Sequence, residues 1–310
     1  MTQSNNPILS VKGFSKSFGS FQAVNNLSFE VYPGEIFGFL GRNGAGKTTT
    51  IRTLLGIYQA DEGELSVFSQ KFEENLKSRI GYLPEERGLY TRSSVWDLLV
   101  YFARLKGLSR SEAKIRCEEY LKKFALWEHK GKKIQNLSSG MQQKVQIIQA
   151  IIHNPELLVL DEPFRGLDPV NRQMVFDVLK EIQGQGRTIL FSSHQIAEIE
   201  DFCDRVIMIA QGENRAYGKV MEIKSRYENR FLHLQFQGDL PEIPHTEWVK
   251  NQGNQAEIKF TEEITPTEIL KILVQHVEIE RFSLDRPSLN EIFLDLCGDE
   301  IPQAEEETHA

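Results

Sequence analysis

The run Gly41-Arg42-Asn43-Gly44-Ala45-Gly46-Lys47-Thr48 has the residue types and spacing to hold phosphate. Its glycines let the backbone curl until several N–H groups point at one anion. A helix starting near Gly46, with Lys47, Thr48 and Thr49 in its first turn, adds the positive end of its dipole. Lys47 can reach outer phosphates, and the Thr48 hydroxyl can ligate Mg2+. The pattern G-x-x-x-x-G-K-[ST] needs a strand before it and a helix after it. IFGFL and TTTIRTLLGI supply them, so the run is more than a glycine-rich turn. It predicts binding of a nucleoside triphosphate.

Two further places would complete such a site. In LLVLDEPF, four apolar residues run into Asp161 and Glu162. A buried parallel strand would deliver Asp161 beside the phosphate loop, where it can hold Mg2+ directly or through water. The pleat would turn Glu162 another way, to orient or polarise an attacking water. TILFSSH then ends a strand at His194. A lone histidine is more often structural or solvated, but one placed after these elements is favoured to hydrogen-bond a γ-phosphate.

These groups need elements to position them. ILSVKGFSKSFG and QAVNNLSFEVY alternate like antiparallel strands, and Pro33–Glu35 turns the chain before the central strand. A helical stretch runs from about Ser93 to Ala125, with Ser109 and Glu112 spaced as a capping box. MQQKVQIIQAIIH continues helical until Asn154-Pro155. From ELLVLDEP through NRQMVFDVLKEIQGQG to TILFSSH the order is β-α-β, which implies a parallel sheet with helices on its faces. RVIMIAQGENRAYG reads as a hairpin. Composition shifts near Val220; KVMEIKSRY reads as a connecting helix, FLHLQFQG, AEIKFT and VEIERFSL as three strands, PTEILKILVQHV as an amphipathic helix and PSLNEIFLDLCG as a final helix. The reading is an α/β P-loop cassette over residues 1–222, with an antiparallel β subdomain and a helical subdomain at about 86–150. A small α+β domain over 223–300 and an acidic tail over 301–310 complete it.

Bulk composition narrows the class. Residues 1–222 hold 28 basic and 26 acidic side chains, while 223–310 hold 8 and 18. The acidic end argues against nucleic-acid binding there. Cys117, Cys203 and Cys297 are too few and too widely spaced for a disulfide framework or a metal cluster. No apolar run reaches 18 residues, and MTQSNNPILS lacks the layout of a signal peptide. The expectation is a cytosolic chain without a membrane span of its own.

One ordered set of motifs resembles a known family. LSSGMQQKVQ opens a helix shortly before LLVLDE and resembles the signature of ATP-binding cassette (ABC) ATPases. GRNGAGKTT is similar to that family's Walker A, LLVLDE to Walker B, GLDP to the D-loop and His194 to the switch histidine. The resemblance spans about residues 8–220 and implies ATP and Mg2+ as ligands. It implies a second anion site at Ser138 and Gly140, and communication across a head-to-tail cassette dimer near Asp168. Phe18 matches the aromatic that stacks on adenine; the alternative is a core phenylalanine. Three positions depart from the family pattern: Ser139 and Met141 in LSSGM, and Glu85 where the family has the Q-loop glutamine. At Glu85 a carboxylate can ligate Mg2+, provided that a metal or cation screens it from phosphate.

GYLPEERGLY, the LSSGMQQK signature and RPSLNEIFLDL resemble bacterial cassettes that serve separately encoded export permeases for sodium or drugs. This implies ATP hydrolysis coupled to transport, a homodimer of cassettes, an integral membrane permease partner and a place on the cytoplasmic face of the membrane. A soluble cassette ATPase acting on ribosomes or nucleic acid is one alternative. Against it stand a single Walker A, no sustained heptads and no cysteine clusters. A nucleotide-gated regulator without turnover is the other.

Overall fold

The computed structural model describes residues 6–86, 88–226, 231–284 and 288–297. The acidic tail expected at 301–310 lies outside them. Contacts divide the chain into two compact units, one ending at Gly218 and the other beginning at Lys219.

In the first unit, chain order is β1 (Leu9–Phe18), β2 (Phe21–Val31), β3 (Ile36–Gly41), α1 (Lys47–Leu54), β4 (Glu62–Val67) and β5 (Ile80–Leu83). Then follow α2 (Val95–Leu105), α3 (Arg110–Lys123), α4 (Ser139–Ile151), β6 (Leu157–Asp161) and α5 (Pro169–Gly184). β7 (Thr188–Ser193), α6 (Ile196–Phe202), β8 (Arg205–Ala210) and β9 (Glu213–Lys219) close it. β1 pairs antiparallel with β2 and β4. The larger sheet has the order β5-β6-β7-β3-β8-β9. Its pairs from β5 to β8 are parallel.

β3, β6 and β7 are buried along their whole length. That is why their sequences are unbroken apolar runs rather than alternating ones. Phe29 of β2 stacks on Phe37 of β3 at 5.6 Å, locking the two sheets together. The parallel order brings the C-terminal ends of β3, β6 and β7 side by side, the edge where α/β sheets bind ligands.

The helical stretch from Ser93 is two helices, as the capping box at Ser109 and Glu112 implies. Gly107, with φ 96°, breaks it after α2, and Ser109 with Glu112 forms the expected capping box of α3. α2 buries Val95, Leu98, Leu99 and Ala103, a helical spacing turned towards α3 and α4. β4 and β5 were not anticipated.

The second unit comprises α7 (Val220–Arg226), β10 (Phe231–Gln237), β11 (Thr246–Gln252), β12 (Gln255–Phe260), α8 (Pro266–Leu273), β13 (Glu278–Ser283) and α9 (Leu289–Cys297). Its sheet order is β11-β12-β10-β13, all pairs antiparallel. Leu232, Leu234 and Phe236 of β10 pack with Ile258 of β12 and Ile269 of α8 in one apolar cluster. The boundary expected after residue 222 falls inside α7.

Candidate functional site

The phosphate loop is built by backbone conformation. Gly44 and Gly46 have φ of 81° and 102°, in the left-handed region that glycine enters freely. A Cβ on Gly46 would sit 2.6 Å from the Ala23 carbonyl, and one on Gly41 would sit 2.6 Å from the Ile209 carbonyl. Both glycines are therefore demanded by close packing. Ala45 is buried beneath the loop. Gly46 caps α1, so the first turn of that helix, with Lys47, Thr48 and Thr49, opens onto the loop.

A cleft of about 190 Å³ lies over the loop, with Arg42, Asn43 and Glu85 on its rim. Asp161 and Glu162 form its far wall. Lys47 is buried, and its Nζ donates to the carbonyls of Gly41 (2.6 Å) and Arg42 (3.2 Å). Burial lowers its pKa, against the opposing pull of Glu162, Asp161 and Glu85. An arriving phosphate would favour the charged form further.

Asp161 ends β6. The register pairs it with Ser192 of β7, whose Oγ donates to Asp161 Oδ1. Thr48 Oγ1 donates to Asp161 Oδ2 at 2.9 Å. Burial raises the Asp161 pKa, the two hydroxyls lower it, and the neighbouring Glu85 and Glu162 raise it. The oxygens of Thr48 and Asp161 are adjacent hard donors of the kind Mg2+ takes, so the residues present fit that ion.

Glu162 is aimed by the backbone turn after β6 and not by the strand pleat. Its φ is 51°, a left-handed conformation costly for a side chain with a Cβ. Its N–H donates to Ser192 Oγ at 3.2 Å. Glu162 Oε1 lies 3.8 Å from Lys47 Nζ, and Oε2 lies 2.9 Å from His194 Nδ1. Hydrogen bonding to Glu162 raises the His194 pKa, with burial opposing it. Glu162 thus joins the loop lysine to the histidine that ends the neighbouring strand.

Sequence reasoning missed several participants. Gln143 of α4 donates its Nε2 to the carbonyls of Pro163 (3.0 Å) and Glu162 (3.4 Å). It ties the signature helix to the turn that aims Glu162. Ser193 Oγ donates to the buried Glu198 at 2.6 Å, and Arg172 lies 3.6 Å from that carboxylate. Arg165 stands 3.2 Å from Glu85, the cation that a carboxylate at this rim requires. The partner each of these side chains meets is set by tertiary packing, which the sequence does not spell out.

Phe18 is 45% exposed and meets Tyr58 edge-on at 5.3 Å, so it is no core residue. Lys16 lies over its ring. Phe21, directly across the β1–β2 turn from Phe18 and 61% exposed, is the phenylalanine that lines the cleft.

Ser138, Gly140 and Asp168 are not on this cleft. Ser138 caps α4 by accepting from the Met141 N–H, and Asp168 caps α5 by accepting from the Asn171 N–H. Gly140 packs beside the Gly166 carbonyl, and Lys144 donates to Asn171 at 2.9 Å. These contacts bring the starts of α4 and α5 side by side.

Comparison with known proteins agrees with this geometry. Residues 24–165 match the family described as ABC transporter, and residues 218–297 match the C-terminal domain of DrrA1-3-like ATP-binding proteins. The chain is 37% identical over 294 residues to an uncharacterized ABC transporter ATP-binding protein, YhaQ of Bacillus subtilis, spanning 94% of this chain and 99% of the relative. It is 30% identical to the linearmycin resistance ATP-binding protein LnrL of Bacillus subtilis, over 94% and 98% of the two chains. The cbiO1 structure from Clostridium perfringens, described as part of the transporter complex cbiONQ, superposes with a TM-score of 0.63 at 26% identity. That match covers 71% of this chain and 92% of the other.

Proposed function

The chain belongs to the ATP-binding subunits of ABC transporters, and on that premise we propose that it hydrolyses ATP to power export through a membrane permease encoded separately. One observation carries the hydrolytic reading: Glu162 is buried between Lys47 and His194, at the wall of the phosphate cleft. A carboxylate so placed can take a proton from an attacking water, and His194 can receive the resulting γ-phosphate contact. Lys47 and the N–H groups from Gly41 to Thr49 hold the phosphate chain. Thr48 and Asp161, with Glu85 lining the same cleft, would hold Mg2+, which would supply positive charge to neutralise the phosphates. Phe18 or its turn partner Phe21 stacks the adenine.

Ser138, Gly140 and Asp168 have no work to do in their own chain's cleft. They fit a second cassette, whose bound γ-phosphate would meet the start of α4. ATP then joins two copies, and hydrolysis separates them. Tyr90, Tyr101 and Leu105 are exposed apolar residues of the helical subdomain and suit a permease surface. Among the described residues no helix is long and apolar enough to cross a membrane, so a transport path would need another chain. The resistance named for LnrL supports export, and a permease at the cytoplasmic face of the membrane would place the chain there.

Pull-down of tagged Glu162→Gln, loaded with Mg-ATP, from detergent-solubilised native membranes tests the partner. A polytopic membrane protein in stoichiometric amount is the expected result. Ribosomes or nucleic acid in its place would overturn the transport reading.

A further inference from the structure

The second unit brings together three residues that are far apart in the chain. His233 on β10 pairs directly with Glu257 on β12, so both side chains leave the same face of the sheet. α9 covers that face: Lys259 of β12 is paired with Asp295, and His233 Nε2 lies 3.7 Å from Glu291 Oε1. One ligand atom each from His233, Glu257 and Glu291 lies within 4.8 Å of the others.

The two oxygens of Glu291 have different circumstances. Oε2 accepts from the Ser288 N–H (2.7 Å) and hydroxyl (2.8 Å), which starts α9. Oε1 is buried without a hydrogen-bond partner, and the side chain as a whole is only 10% exposed. A buried carboxylate oxygen with no donor is costly. It faces His233 at a separation too long for a hydrogen bond and suitable for a shared ion. Two ligand atoms about 2.1 Å from one tetrahedral ion stand about 3.4 Å apart. Small side-chain rotations would close the set.

We propose that His233, Glu257 and Glu291 form a three-ligand site for a divalent transition-metal ion of the Zn2+ class. Imidazole with two carboxylates suits zinc and its first-row neighbours and disfavours Mg2+ and Ca2+. A cavity of about 270 Å³ lined by His233 and Glu257 together with Gln252, Gln255, Lys250 and Arg281 leaves room for water at the fourth position. The ion would tie the sheet to α9 independently of nucleotide.

Calorimetric titration of the full-length, nucleotide-free protein with Zn2+ in excess Mg2+ tests this, with Co2+ absorption as a second readout. One saturable Zn2+ per chain is expected. Affinity should fall at least about tenfold in Glu257→Gln and in Glu291→Gln. Glu291→Gln retains an oxygen to cap α9, and Glu257 is only partly buried, so both variants should fold. Cys297→Ser should bind as the wild type does. Absence of saturable binding, or affinity unchanged in both glutamine variants, would overturn the site.

Discussion

Glu162 leaves β6 with φ 51° and stands between Lys47 and His194. The segment LLVLDE announces two carboxylates at a strand end, but not that Glu162 leaves the strand at positive φ. His194 is expected to titrate above the ordinary imidazole value because Glu162 accepts from it. That pairing stabilises the fold fully below the unfolded histidine's pKa, and the gain disappears as pH rises through the raised value. NMR titration should show the His194 pKa fall in Glu162→Gln; no movement would separate the two groups. Asp161 has the same sign, since its pKa too is raised and its contribution to stability also falls as pH rises. Burial raises its pKa, so its charged form is costly to the empty protein above that value. Asp161→Asn should abolish Mg-ATP hydrolysis yet raise the melting temperature of the nucleotide-free protein. A lower melting temperature would mean that Asp161 serves the fold.

At the scale of elements, the strands with unbroken apolar runs were legible and the polar ones were not. β3, β6 and β7 are buried on both faces and advertise it. β4, EGELSV, is an edge strand beginning with three exposed residues, and β11, TEWVKNQ, is an edge strand of the same kind. Neither has a periodic apolar face to read. β5 is only four residues long, too short for periodicity to show. The link from α4 to the Glu162 turn was equally hidden, since a glutamine in a helix gives no sign of what it touches. Gln143→Ala should lower kcat about tenfold or more with KM nearly unchanged, because it loosens the carboxylate's support without touching the phosphate loop. Steady-state kinetics would show this; a change confined to KM would refute it.

For the whole molecule, the shift in composition signalled a second unit, and its sheet and helices form a core of their own. The residues lining the phosphate cleft all precede Gly218. A chain ending at Gly218 should therefore bind ATP as tightly as the full chain, within about threefold by calorimetry, where tenfold would be ~1.4 kcal/mol. Loss of binding in a folded truncation would assign the second unit a part in the nucleotide site.

The central claim is that Glu162 makes this cassette an ATPase. Phosphate release from Mg-ATP, measured side by side for wild type and Glu162→Gln, tests it most directly. The wild type should turn over ATP, and the variant should be slower by about 10²–10⁴-fold, with ATP binding retained. Equal rates in the two proteins, or no turnover in either, would contradict it.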